Sequence, residues 1–196
     1  MGHNAAELEQ AIRSCRSCDL SKWGGKPVLR HFVENVSLFV VGIAPTQVAE
    51  HLGEPFTGDV GRKVSSWLAS LGLDSNDLYF TNAIKCVVRD SRGTFCFPLS
   101  GVVSPWAEKC RPWLLEEISV IHPKILILLG VTPLYSLTGY GSISRYQREK
   151  QGEQFHGISC FALNHPSSDI KISAWENSSP VQQVANRLRA LLRASS

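Results

Sequence analysis

Four short apolar runs, at 37–43, 77–82, 124–130 and 157–164, punctuate this chain of 196 residues, and helical patterns fill the intervals between them. Runs of that length, bounded by turn residues, read as buried strands, whereas 61–73 and 104–121 carry apolar residues every three or four positions and read as amphipathic helices. The second of these opens on Ser104 and Pro105, a cap followed by a first-turn proline. Further helical patterns lie at 5–15 and 179–194. Strands alternating with helices leave few architectures open. The expectation is an α/β fold, a three-layer sandwich with a central, mainly parallel four-stranded sheet flanked by helices, formed by residues 1–196 as a single domain. A content of 43% hydrophobic and 19% charged residues is enough to cover both faces of such a sheet.

Ligands of these sheets bind where loops leave the carboxyl ends of the strands. Those positions hold Gly42, Ile43, Ala44 and Pro45 after the first run, Thr81 and Asn82 at the second, Leu129 and Gly130 at the third, and Asn164, His165, Pro166 and Ser167 at the fourth. Asn82 either caps a turn or reads an amide or base edge through its paired donor and acceptor. His165 is either structural or a hydrogen-bonding group at the sheet edge. Phe56, between turn-rich neighbours in GEPFTGD, is either core or a platform for a flat ligand. Ile43 is the odd member, because it offers no functional group to a strand end otherwise suited to chemistry.

The N-terminus lacks a basic-then-apolar leader and no apolar stretch approaches the ~20 residues of a membrane span, so a cytoplasmic protein with no membrane attachment is expected. In that compartment six cysteines do not read as disulfides. Cys15 and Cys18 form a C-x-x-C, while Cys86 and Cys110 lie far apart, unlike the close second pair of a zinc ribbon. An iron–sulfur cluster tolerates such spacing, and a zinc staple or free buried thiols remain open. Cys96 and Cys160 read as spares. A net charge of +3 does not by itself identify a polyanionic partner, and nothing implies an obligate protein partner.

Six segments in order, CRSC (15–18), GIAPTQVAEHLGEPFTGDVG (42–61), TNAIKC (81–86), CRPWL (110–114), ILLG (127–130) and NHPSS (164–168), resemble the uracil-DNA glycosylase superfamily in its iron–sulfur-containing bacterial and archaeal branches. The resemblance is to a hybrid. Family 4 has an acidic residue at the position of Ile43; family 5 has an apolar residue there and an F-T-G-D element like 56–59, yet usually lacks the asparagine of TNAIKC. The stretch 87–104 resembles an insertion.

The resemblance implies a [4Fe–4S] cluster on Cys15, Cys18, Cys86 and Cys110, and hydrolysis of the N-glycosidic bond of a damaged or modified base in DNA. Under it Phe56 stacks on the flipped base, Asn82 reads its Watson–Crick edge and His165 donates to the departing base. Backbone around Gly42, Ile43, Ala44 and Pro45, with Ser167 and Ser168, would contact phosphates; Arg145, Arg148 and Lys171 would form a basic rim and Ile170 a wedge. With Ile43 unable to hold a water, Asp59 becomes the candidate carboxylate, its alternative being a cap for the helix near Gly61. A different base, such as hypoxanthine or a hydroxymethylated or hypermodified pyrimidine, or weak binding of damaged DNA without excision, are the competing readings.

Overall fold

The computed structural model describes residues 3–96, 104–166 and 172–194. Among these the strands are β1 (Leu38–Gly42), β2 (Leu78–Asn82), β3 (Ile125–Leu129), β4 (Gln154–Phe155) and β5 (Ile158–Leu163), in the order β2-β1-β3-β5-β4. β1, β2, β3 and β5 pair in parallel, and β4 pairs antiparallel with β5. The sheet thus has one strand more than the apolar runs indicate. β4 is two residues long, and its turn places His156 and Gly157 both at positive φ, the backbone of a two-residue type I′ hairpin. Beyond it the side chain of Gln151 substitutes for a strand, accepting from the Ala162 N–H at 3.0 Å and donating to its carbonyl at 3.1 Å. These bonds occupy backbone groups that would otherwise form an open sheet edge.

The helices are α1 (Ala5–Arg13), α2 (Asp19–Lys22), α3 (Gln47–Leu52), α4 (Asp59–Ser70), α5 (Pro105–Ile121), α6 (Val131–Thr138), α7 (Ile143–Glu149), α8 (Ile172–Glu176) and α9 (Ser179–Ala194). Strand alternation sorts the helices that cover the sheet into two layers, while α1 and α2 pack in smaller groups outside it. Leu38, Val40, Ile127 and Leu163 face Leu68 of α4 and Leu188 of α9. Phe39, Val41, Leu126 and Ala162 face Leu114 of α5 and Leu134 of α6. Burial on both faces explains why the strands read as continuous apolar runs rather than as alternating ones. No helix of the described residues is long and apolar enough to cross a membrane.

One contact within the α4 layer is unusually close. Phe56 adopts a left-handed backbone, φ 61°, in the turn before α4, and its carbonyl lies where a Cβ on Gly61 would be. A residue held at positive φ without being glycine needs surrounding structure to keep it there, and the bare surface of α4 at Gly61 lets the turn settle against the helix.

Gly61→Ala tests that packing. Helix propensity alone would stabilise the protein by roughly 0.5–1 kcal/mol. Overlap with the Phe56 carbonyl should instead destabilise it by about 1–3 kcal/mol, read from urea denaturation, so the sign of the change decides.

Candidate active site

Strand register assembles the site. Gly42 pairs directly with Asn82, Leu129 pairs with Leu163, and the Gly130 N–H donates to the Leu163 carbonyl at 2.9 Å, so the strands end nearly flush. β1 has β2 on one side and β3 on the other, which makes its carboxyl end the switch point where successive loops part and a crevice opens.

Asn82 lies at this edge, 3% exposed, and its Nδ2 has no hydrogen-bond partner. Leaving a buried amide donor unpaired costs roughly 1–3 kcal/mol, which a ligand acceptor would recover. A Cβ on Gly42 would stand 2.5 Å from Asn82 Oδ1 and 2.8 Å from Phe56 Cζ, so the amide and the ring meet over the bare Gly42 backbone. The half-buried Phe56 ring leans on Phe80, centroids 4.9 Å apart and planes at 31°.

Across the crevice, His165 follows β5. Trp175 of α8, itself buried, fixes the preceding residue by donating from Nε1 to the Asn164 carbonyl at 2.9 Å. Burial lowers the His165 pKa from 6.5 to about 4, so the imidazole is neutral near pH 7. Its Cβ would lie 3.6 Å from a Cβ on Gly130, and Ile43 Cγ1 and Cδ1 would lie 3.3 Å from the same point. Ile43, 5% exposed, therefore fills the space between the β1 and β3 ends beside His165. Ala44 turns the other way, toward the cysteine group, and Pro45 is buried.

The acids are arranged unequally. Asp59 is the first residue of α4, with Gly58 in the capping position, so the alternative job of capping that helix falls to no side chain. Its exposed carboxylate pairs with Arg62 one turn on. Glu50 is committed elsewhere, bonded to Arg89 and to the Lys26 N–H. Arg145 and Arg148 lie on α7, which is tied to β5 by Gln147 donating to the Ala162 carbonyl at 2.9 Å; Arg145 pairs with Glu149 and stands 5.8 Å from the Tyr140 ring. Ser167, Ser168, Ile170 and Lys171 lie outside the described residues.

Cys18, Cys86 and Cys110 pack into one small apolar group with Leu20 and Ile84. Cys96, read from spacing as a spare, packs against the same group, whereas Cys160 is inside β5. Burial, followed by the neighbouring thiols of Cys110, Cys18 and Cys15, pushes Cys86 up to about 12. Burial likewise raises Cys110, against a backbone hydrogen bond from Lys85. At Cys15 burial is outweighed by hydrogen bonds from Ser17 and Trp113, leaving it below the ordinary thiol range. Among the described residues no three ligand-type side chains stand in metal-binding geometry. The donor chemistry nevertheless fits a cation: Cys15, Cys18 and Cys110 lie near enough to oppose ionisation of Cys86, and thiolates gathered in this way would repel one another unless a cation took the place of their protons.

Two features of the edge escape the strand-end pattern. Lys85, 2% exposed, and Glu117, fully buried, form an ion pair beneath Asn82, and Trp175 positions the His165 segment. The one available signal for the pair was a lysine set inside the apolar segment AIKCVV.

A family model described as the uracil DNA glycosylase superfamily matches residues 30–189. The chain belongs to that superfamily and is a DNA N-glycosylase. It is 31% identical over 173 residues to a type-4 uracil-DNA glycosylase of Archaeoglobus fulgidus, covering 83% of this chain and 81% of that protein. It is 29% identical over 125 residues to a type-4 uracil-DNA glycosylase of Pyrobaculum aerophilum, covering 64% of this chain and 60% of the relative. Similarity extends to a type-5 uracil-DNA glycosylase of the same organism, 25% identical, with 80% of this chain and 72% of the relative covered. Likeness to both types agrees with the hybrid motif pattern.

The depressed His165 pKa has a sign that stability measurements can read. The unfolded chain takes up that proton near 6.5 and the folded chain only near 4, so His165 contributes stability above pH 6.5 that is lost as pH falls toward 4. The stability difference between wild type and His165→Asn should shift against wild type across that interval in urea titrations. A difference independent of pH would contradict a partly buried, neutral imidazole.

Proposed function

We propose that the protein is a monofunctional glycosylase that flips uracil, or a related damaged base, out of DNA and hydrolyses its N-glycosidic bond. The observation that carries this reading is the unpartnered Asn82 amide beside the Phe56 ring over Gly42. A planar base with a complementary edge supplies both the missing acceptor and a surface for the ring. For uracil, the amide donates to O4 and accepts from N3–H, a pattern that cytosine inverts.

In the reaction the bond between the sugar C1′ and the base nitrogen breaks, with the electron pair leaving on the base. Water adds to C1′ and loses a proton. His165, neutral at working pH, donates a hydrogen bond to O2 as the base becomes anionic, a fixed dipole directed at developing charge. Ile43 contributes shape and excludes water. Asp59 is the carboxylate assigned to the attacking water: Arg62 holds it in the free protein, and a DNA phosphate competing for Arg62 would release it.

Cys15, Cys18, Cys86 and Cys110 are assigned to a [4Fe–4S] cluster, and the type-4 and type-5 relatives support this reading. When bound, the cluster supplies structure, tying the segment after α1 to β2 and α5. Iron and sulfide should accompany the protein with broad visible absorption, and Cys86→Ser or Cys110→Ser should lose both together with soluble yield. Anaerobically prepared protein containing zinc and no iron would overturn the assignment.

Single-turnover assays on oligonucleotides containing uracil, hypoxanthine or 5-hydroxymethyluracil test the activity itself. His165→Ala should slow release by about 10²-fold or more with DNA binding retained. Asn82→Asp, which lacks the amide donor, should strongly impair uracil release and relax discrimination. Asp59→Asn should bind DNA but lose most of the rate. A wild-type rate in that variant would move the carboxylate role to another group, with Glu54 next because its contact with Arg30 is long, 3.7 Å, and exposed, whereas Glu50 is held by both Arg89 and the Lys26 N–H.

A further inference from the structure

Beneath the edge of the sheet, side-chain alternation along β2 turns Phe80 and Asn82 toward the α4 layer and Tyr79 and Thr81 toward the α5 layer. In the second layer Lys85 Nζ donates to three acceptors: Glu117 Oε2 at 2.5 Å, Thr81 Oγ1 at 2.8 Å and the Asn82 carbonyl at 2.8 Å. Thr81 in turn donates to the Glu117 carboxylate at 3.2–3.3 Å. Three acceptors match the three donors of an ammonium, so no donor is left over for another partner. All of these side chains are buried.

We infer that Lys85, held by Glu117 and Thr81, is a positioning residue that clamps the Asn82 peptide from behind and thereby sets the angle at which its amide meets the base. The inference rests on Asn82 being the group that reads the base. A reader whose donor must stay free for the ligand cannot be oriented by hydrogen bonds to that donor; the available restraint is its main chain. Asn82 shows this division, with Nδ2 unpartnered and its carbonyl gripped by Lys85. A stabilising role alone explains the arrangement poorly. Buried ion pairs are often matched or exceeded in stability by apolar residues of similar volume, because desolvation offsets the attraction. An apolar pair, however, offers nothing to the Asn82 carbonyl.

Lys85 also directly precedes Cys86 of the cysteine group, so one residue grips the base reader through its side chain and is joined to that group through the chain.

The test is the paired variant Lys85→Met with Glu117→Met, made in wild-type and Asn82→Ala backgrounds and assayed by single-turnover uracil release. In the wild-type background the rate should fall by roughly 10–100-fold with half-saturation by DNA unchanged, the scale expected for a small misplacement of a substrate-contacting group. In the Asn82→Ala background the same pair should change the rate by less than about twofold, because coupled residues are non-additive. A merely structural role would lower both backgrounds equally, and that result overturns the inference. So does a folded paired variant with a wild-type rate beside a slow Asn82→Ala. If Asn82→Ala is itself as fast as wild type, the base-reading assignment fails and takes this inference with it. Thr81→Val, which removes one link and keeps the shape, provides the same comparison should the paired variant not fold. Its smaller fall must likewise vanish without Asn82.

Discussion

The flush, parallel register of β1 with β2 and β3 is the constraint on which the rest of the molecule depends. It sets Gly42 opposite Asn82, and it continues past the strands: the Ala83 N–H donates to the Gly42 carbonyl and the Ile84 N–H to the Ile43 carbonyl, both at 2.9 Å. The two exit segments therefore travel together for another turn, one ending on Cys86 and the other placing Ala44 against the cysteine group. A slip of one residue would flip every side chain to the opposite face. It would separate Asn82 from Phe56 and carry the cysteines out of their apolar group at the same time.

The parts of this fold legible in the sequence are those in which one local pattern serves one purpose. The four parallel strands and α5 and α9 are nearly continuous apolar or amphipathic segments, and their bounds agree with the pattern to within two residues. α6 and α7 are hidden because VTPLYSLTGYGSIS mixes β-branched residues, a proline and glycines in helices of only two turns. Their helical state comes from docking Leu134, Leu137 and Tyr146 onto the sheet, a tertiary effect that propensity does not carry. β4 is hidden for a simpler reason: two residues have no period.

Legibility of the site divides in the same way. Asn82 and His165 are visible because strand ends are where ligands bind, and Phe56 because turn residues surround it. The residues that hold them are nearly silent. Lys85 stands out only as a lysine within an apolar segment, and nothing names its distant partner Glu117, which resembles an ordinary surface charge; their pairing exists only once α5 lies on β2. Trp175 resembles any core aromatic, and its bond to the Asn164 carbonyl is a fact of three dimensions. Cys96 likewise joins the other thiols through packing that its spacing does not announce.

If His165 faces the departing base as proposed, Ile43 beside it alters the electronic demands of bond cleavage. Under the proposed reaction, hydrocarbon next to the sugar would do nothing to stabilise positive charge as the bond to the base lengthens, and the exposed position of Asp59 would make it a weak substitute until DNA closes over it. More of the barrier then rests on how well the departing base carries its electrons. Such a pocket grades its substrates by the acidity of the free base: electron-withdrawing substituents on the ring hasten release and electron-donating ones retard it, even where both fit the same space. On the proposed reading, the shape of the crevice would admit a class of bases, and the leaving-group character of each member would set the order in which they are lost.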